Sequence, residues 1–143
     1  MLVSTKGRYA LRVMVDLAEH GTGEYIVLMD FAKRQDISEK YLEGILATLS
    51  KGGMVSALRG RGGGYRLARA PETYTVGSIL KLMEGSLAPV SCLENDGHGC
   101  ERAAECSTLP LWTKLNDLIN GYLESVTLAD LVQENAGADN YVI

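Results

Sequence analysis

The chain has 143 residues, one domain's worth, with 46% hydrophobic and 22% charged residues. That composition can bury a core and excludes wholesale disorder. The net charge of −4 argues, as an average, against a nucleic-acid binder. The average conceals two unlike halves. Residues 1–70 carry 11 Lys/Arg against 7 Asp/Glu, a net of +4; residues 71–143 carry 3 against 11, a net of −8. Only the first half suits a polyanion.

No apolar run approaches the length of a membrane span. Lys6, Arg8 and Arg12 interrupt the apolar N-terminal stretch, so no signal peptide is expected. The prediction is a cytoplasmic protein with no membrane partner. Its three cysteines, an odd number, disfavour a disulfide framework there.

In chain order, Ser4 to His20 reads as a helix capped by Ser4 or Thr5 and ended by Gly21, with Ala10, Val13, Met14, Leu17 and Ala18 on one face. Residues 28–35 form a short second helix with Leu28, Phe31 and Ala32 turned inward. After the turn Gln35-Asp36-Ile37, Ser38 caps a third helix, Glu39 to Lys51, which Gly52-Gly53 stops. Its core face is Leu42, Ile45, Leu46 and Leu49; Lys40, Glu43, Ala47 and Thr48 lie outside. Met54 to Arg59 and Gly64 to Ala68 read as a β-hairpin around the loop Gly60-Arg61-Gly62-Gly63. A helix from Val76 to Glu84 follows Pro71. Residues 86–107 show little periodicity and hold the cysteines.

Ser107 or Thr108 then caps a long helix with Pro110 in its first turn. Leu111, Trp112, Leu115, Leu118, Ile119, Tyr122 and Leu123 give it a broad apolar face, wide enough to pack on its own domain and on a twin at once. Thr127 starts a last helix, and the residues from about Asn135 are expected to be loosely held. The fold class is therefore mainly α with a small β-hairpin wing: a winged helix-turn-helix followed by a long dimerisation helix. The divisions are 1–84 for the DNA-binding head, 85–107 for the cysteine loop, 108–135 for the dimerisation and last helices, and 136–143 for a tail.

A helix in the major groove reads base edges with residues near its N-terminus, where Ser38, Lys40 and Tyr41 stand; Glu43 can accept from a cytosine amino group. Between residues 59 and 69 lie Arg59, Arg61, Arg66 and Arg69 and no acid. Glycines at the tip, Gly63 among them, let backbone approach phosphates and let an arginine enter a narrow minor groove. The bland alternative is a solvated charged hairpin. A nucleotide-binding loop is disfavoured, because Gly60 to Tyr65 lacks both the dinucleotide fingerprint and the Gly-Lys-Ser/Thr of a P-loop. No catalytic triad or paired-carboxylate pattern supports an enzyme, and the two histidines are His20 and His98.

The segments Ser4-Thr5-Lys6-Gly7-Arg8-Tyr9-Ala10-Leu11, Ile37-Ser38-Glu39-Lys40-Tyr41-Leu42-Glu43 and Val55 through Arg59-Gly60-Arg61-Gly62-Gly63-Gly64-Tyr65 resemble the Rrf-two family of bacterial transcription regulators. The resemblance continues through Val76-Gly77-Ser78-Ile79-Leu80 and Thr127-Leu128-Ala129-Asp130-Leu131-Val132, and so covers nearly the whole chain. It implies a homodimeric winged-helix repressor or activator on a pseudo-palindromic operator in double-stranded DNA. The DNA-contacting residues it points to are Lys6, Arg8, Ser38, Lys40, Tyr41, Glu43, Arg59, Arg61, Gly63 and Tyr65.

Cys92, Cys100 and Cys106 are spaced too widely for a zinc knuckle. Their loop is polar, with pliable Gly97 and Gly99, which favours ligation of a metal or cluster over redox-active thiols or inert cysteines. One branch of the Rrf-two family senses iron–sulfur status through three cysteines in this region, and the resemblance to it implies an iron–sulfur cluster and control of iron–sulfur biogenesis genes. A two-iron cluster is the first choice and a four-iron cluster the second. Other branches sense nitric oxide or redox state, or repress cysteine metabolism without these cysteines. The first cysteine gap here is two residues longer than that branch's pattern. Where it has a histidine after the third cysteine, Leu109 stands; where another branch draws an acidic ligand near the start of helix one, Arg8 stands. His98 is the leading local fourth ligand, with Glu94, Asp96, Glu101 and Glu105 as oxygen donors in reserve.

Overall fold

The computed structural model describes residues 3–21, 23–97 and 104–139. In chain order the elements are α1 (Thr5–His20), α2 (Leu28–Gln35), α3 (Glu39–Lys51), β1 (Val55–Leu58), β2 (Gly64–Leu67), a short 3-10 turn (Pro71–Thr73), α4 (Val76–Glu84), a 3-10 segment (Ser91–Gly97), α5 (Leu109–Ser125) and α6 (Leu128–Asp139).

The helix ends follow local chemistry. Ser4, Ser38 and Thr75 each accept a hydrogen bond from a backbone amide three residues on, so α1, α3 and α4 begin where their caps stand. At the start of α6, the Thr127 amide donates to Asp130 Oδ2 (2.9 Å) and the Asp130 amide to Thr127 Oγ1 (3.1 Å), a reciprocal cap. The last helix runs on to Asp139, beyond the expected loosening at Asn135. Thr108 occupies the cap position of α5 without a side-chain cap bond, because its hydroxyl lies 3.2 Å from the Cys106 sulfur instead.

The strands are shorter than expected. Met54, Arg59 and Ala68 fall outside them, and β1 and β2 pair antiparallel with Ser56 opposite Arg66 and Leu58 opposite Gly64. The other edge of β2 is also used: Ile26 and Tyr65 exchange backbone hydrogen bonds of 2.8 and 2.9 Å. Gly64 has to be glycine, since a Cβ there would meet the Ile26 carbonyl at 2.3 Å.

The main core joins Met14 and Leu17 of α1, Phe31 of α2, Leu46 of α3, Val55 of β1 and Tyr74, with Leu128 of α6 returning to it. After α5 the chain thus returns to the core of the head through α6. Tyr74 is fully buried at the root of the wing. Its hydroxyl donates to the Met54 carbonyl (2.7 Å) and accepts from the amides of Ala68 and Arg69 (3.0 Å each), clamping the entry of β1 to the exit of β2.

Asp16 is the buried charge of the head. Arg34 grips it with two bonds, Nε to Oδ2 at 3.0 Å and Nη2 to Oδ1 at 2.6 Å, and Gln35 Nε2 adds a third at 2.8 Å. This locks α2 onto α1. Asp16→Ala should cost about 2–3 kcal/mol, the upper range for hydrogen bonds to a charge moderated by the partial exposure of Arg34. Urea unfolding checks it, and a midpoint unchanged from the wild type would show the contact to be idle.

Candidate nucleic-acid interface and cysteine site

The first turn of α3 is held by its cap. Ser38 Oγ accepts from the Tyr41 amide at 3.2 Å, and Lys40, Tyr41 and Glu43 are exposed beside it. A Cβ on Gly44 would meet nothing within 4 Å, so the helix face beside them is open. Lys6, in the first turn of α1, lines one groove with Ser38, Lys40, Tyr41 and Gly44. The structure thus joins residues 6 and 40, far apart in sequence, on one cationic surface. Arg8 is exposed nearby in α1, donating to Thr5 Oγ1 at 3.3 Å, and does not line that groove.

Tyr41 has a neighbour that sequence patterning does not supply. Its ring meets Tyr9 edge-on, with centroids 5.7 Å apart and planes at 86°. Both residues belong to the motifs quoted above, but nothing local in either pairs them.

The wing splits the arginine run in two. Arg66 donates to the Gly23 carbonyl (2.9 Å) and lies 4.4 Å over the Tyr25 ring; Arg69 lies 4.5 Å over Tyr74. These two are tied to the protein. Arg59 and Arg61 are exposed and make no hydrogen bond or ion pair among the described residues. Gly60 and Gly62 at the tip adopt left-handed φ values of 89° and 73°, which side chains resist. Gly63 is buried, its amide bonded to the Gly60 carbonyl at 3.0 Å, and a Cβ there would strike the Leu58 carbonyl at 2.3 Å. Its part is to shape the loop. Tyr65 is half-buried against the main core, so its place is under the wing rather than at its tip.

Cys92 sits half-buried in the 3-10 segment, which packs on α5. Cys106, also half-buried, precedes the start of α5. The Thr108 hydroxyl, and after it the Thr108 backbone amide, hold the Cys106 thiol below its usual pKa and favour the thiolate that metals bind. Cys100 and His98 lie outside the described residues. Among the described residues no three His, Cys, Asp or Glu side chains group to hold a metal. The donor chemistry of Cys92 and Cys106 fits a soft, thiophilic centre, with Cys100 between them in sequence.

The apolar surface of α5 divides. Trp112, Ile119 and Leu123 are half-buried toward the protein. Leu111, Leu115, Leu118 and Tyr122 are 61%, 38%, 62% and 68% exposed. Their spacing of four, three and four residues is that of a helix-pairing seam. On another face, Glu124 accepts from Thr75 Oγ1 (2.9 Å) and Lys81 Nζ (3.2 Å), tying α5 to α4.

A family model described as Rrf2, iron-dependent transcriptional regulator, matches residues 3–134. The HTH-type transcriptional regulator IscR of Aliivibrio salmonicida is 36% identical over 135 residues, covering 94% of this chain and 79% of that protein. The IscR of Serratia proteamaculans is 37% identical over 132 residues, covering 92% and 79%. Among solved structures, T. potens IscR superposes with a TM-score of 0.79 at 36% identity, covering 100% of this chain and 94% of that one. CymR, the global cysteine regulator of B. subtilis, superposes with a TM-score of 0.77 at 35% identity, covering 94% and 98%.

Proposed function

The chain belongs to the Rrf2 (Rrf-two) family of iron-dependent transcriptional regulators, and on that premise we propose that it is a homodimer whose affinity for a pseudo-palindromic operator depends on an iron–sulfur cluster held by Cys92, Cys100 and Cys106. It is a DNA-binding transcription regulator and not an enzyme. The genes it governs, on this reading, are those of iron–sulfur cluster biogenesis.

The observation that carries the DNA reading is the groove where Lys6 meets Ser38, Lys40 and Tyr41. With α3 in the major groove, Lys6 and Lys40 neutralise phosphates while Glu43 faces base edges. Arg59 and Arg61, free of protein partners among the described residues, enter the neighbouring minor groove from the wing. The exposed stripe of α5 pairs with the same stripe of a second copy, which spaces two such heads on two half-sites. Arg59→Ala should weaken specific binding by about 1–3 kcal/mol, whereas Arg66→Ala should change it little. Equal affinities for Arg59→Ala and wild type at moderate salt would remove Arg59 from the interface.

When bound, the cluster supplies sensitivity to iron supply and to oxidation. Cys92, Cys100 and Cys106 would hold it, with His98 as the leading fourth donor; incomplete cysteine ligation favours two irons over four. The chain's own part is mechanical. The 3-10 segment that carries Cys92 packs on α5, and α5 is tied to the head through Glu124, Thr75 and Lys81. Ordering that segment therefore biases how the two heads stand relative to each other, a coupling between two sites. Anaerobic purification with iron and sulfide analysis, followed by operator binding before and after stripping the metal, tests this. Identical affinities in the two states would overturn the coupling.

A further inference from the structure

We propose that Arg12 is a positioning residue for DNA recognition, setting the rotation of the recognition helix from outside the interface. Arg12 is exposed on α1, yet its guanidinium bridges Tyr9 of the same helix and the last residue of α2. Its Nε donates to Gln35 Oε1 at 3.1 Å and its Nη2 to the Gln35 carbonyl. Gln35 is the last residue of α2, and Asp36 after it takes the left-handed conformation (φ 53°, ψ 51°) that starts the turn into α3. A cation here meets the carbonyl end of the α2 dipole. The same guanidinium lies 5.0 Å over the Tyr9 ring, and Tyr9 in turn braces Tyr41 edge-on at 5.7 Å.

The chain of contacts is rooted in the core. Gln35 Nε2 donates to the buried Asp16 carboxylate at 2.8 Å, so the residue Arg12 grips is itself immobilised. At its other end, Tyr41 stands in the first turn of α3 with its amide bonded to the Ser38 cap. Holding the Tyr41 ring sets how α3 is turned about its axis, and hence where Lys40 and Glu43 point. A planar fork that bonds twice to one residue and stacks on an aromatic face is geometry that lysine does not reproduce. No feature of the Arg12 neighbourhood in sequence marks the role, because Gln35 and Tyr41 arrive from 23 and 29 residues away.

This inference rests on the reading that α3 addresses bases, and the experiment separates the two. The probes are a duplex selected by the wild-type protein from a random-sequence library and an unselected random duplex of equal length. Arg12→Met, which keeps the stem, should lower the ratio of the two affinities about tenfold, as a small misplacement of contact groups does. The slope of log affinity against log salt should stay unchanged, and the helical content should stay intact, since Arg12 is exposed. Tyr9→Leu should give a similar loss, and the double variant no more than either alone, because both act through one contact chain. A slope reduced by about one would mean a direct phosphate contact and overturn the proposal. An unchanged ratio in Arg12→Met beside a lowered one in Glu43→Ala would overturn the positioning role alone. Unchanged ratios in both would overturn it together with the placement of α3 on the bases.

Discussion

Cys106→Ala protein, purified anaerobically, will be colourless and free of iron and acid-labile sulfide, with its helical content intact. The physical basis is the donor set. A thiolate is the ligand such a centre demands, and Cys106 is the described cysteine whose pKa the Thr108 hydroxyl lowers. With Cys106 lost, the segment keeps two thiolates, and its other donors are His98 and carboxylate oxygens. Cys92→Ala should behave alike, since the 3-10 segment Ser91–Gly97 that carries it packs on α5, the helix that Cys106 precedes. Operator affinity should shift by about 5- to 150-fold relative to the cluster-loaded wild type, the usual span of coupling between two sites. Visible absorption that survives both substitutions would rule the cysteines out as ligands. Colour lost without a change in operator affinity would keep the cluster and reject its regulatory role.

The paired substitution Leu118→Glu and Tyr122→Glu should yield a folded monomer. Both side chains are more than 60% exposed in the single chain, so charging them costs its fold little. In a pair of α5 helices each would face its symmetry mate, replacing apolar burial worth about 1.5–3 kcal/mol per large side chain with desolvated like charges. A monomer engages one half-site at a time, so operator affinity should fall by more than about 100-fold, as when linked binding modules are separated. Sedimentation and gel-shift measurements check the two parts. Lys114→Glu, which lies off the seam, should remain dimeric. A doubly charged variant that still sediments as a dimer would place the interface elsewhere.

Local sequence chemistry carried much of the head. The bounds of α3 and α4 are legible to the residue, and each helix starts just after a hydroxyl residue, Ser38 or Thr75, whose oxygen accepts from the amide three residues on. The buried faces of α1 and α3 follow from a period of 3.6, with Met14, Leu17, Leu42 and Leu46 inside as the pattern requires. Where a side chain had a competing partner the local rule failed. Thr108 looks like the cap of α5, but its hydroxyl turns to the Cys106 sulfur. At the wing's root Met54 and Ala68 lie outside the strands, where they bond each other at 3.3 Å and share the Tyr74 hydroxyl.

Composition along the chain already holds the asymmetry that a net charge of −4 conceals: a basic half suited to a polyanion and an acidic half carrying the cysteines. The order of helices and hairpin is local as well, since caps, glycines and periodicity act over a few residues. Which charges are available depends on the packed fold. It spends Arg66 and Arg69 on Tyr25 and Tyr74, leaves Arg59 and Arg61 to the solvent, and joins Lys6 to Lys40 in one groove. It likewise divides the apolar arc of α5 into a half for its own core and a half left outward. The reason is range. A cap or a turn is set by neighbours in the chain, whereas the partner of an arginine or the cover of a leucine is set by whichever distant segment the packed core brings beside it.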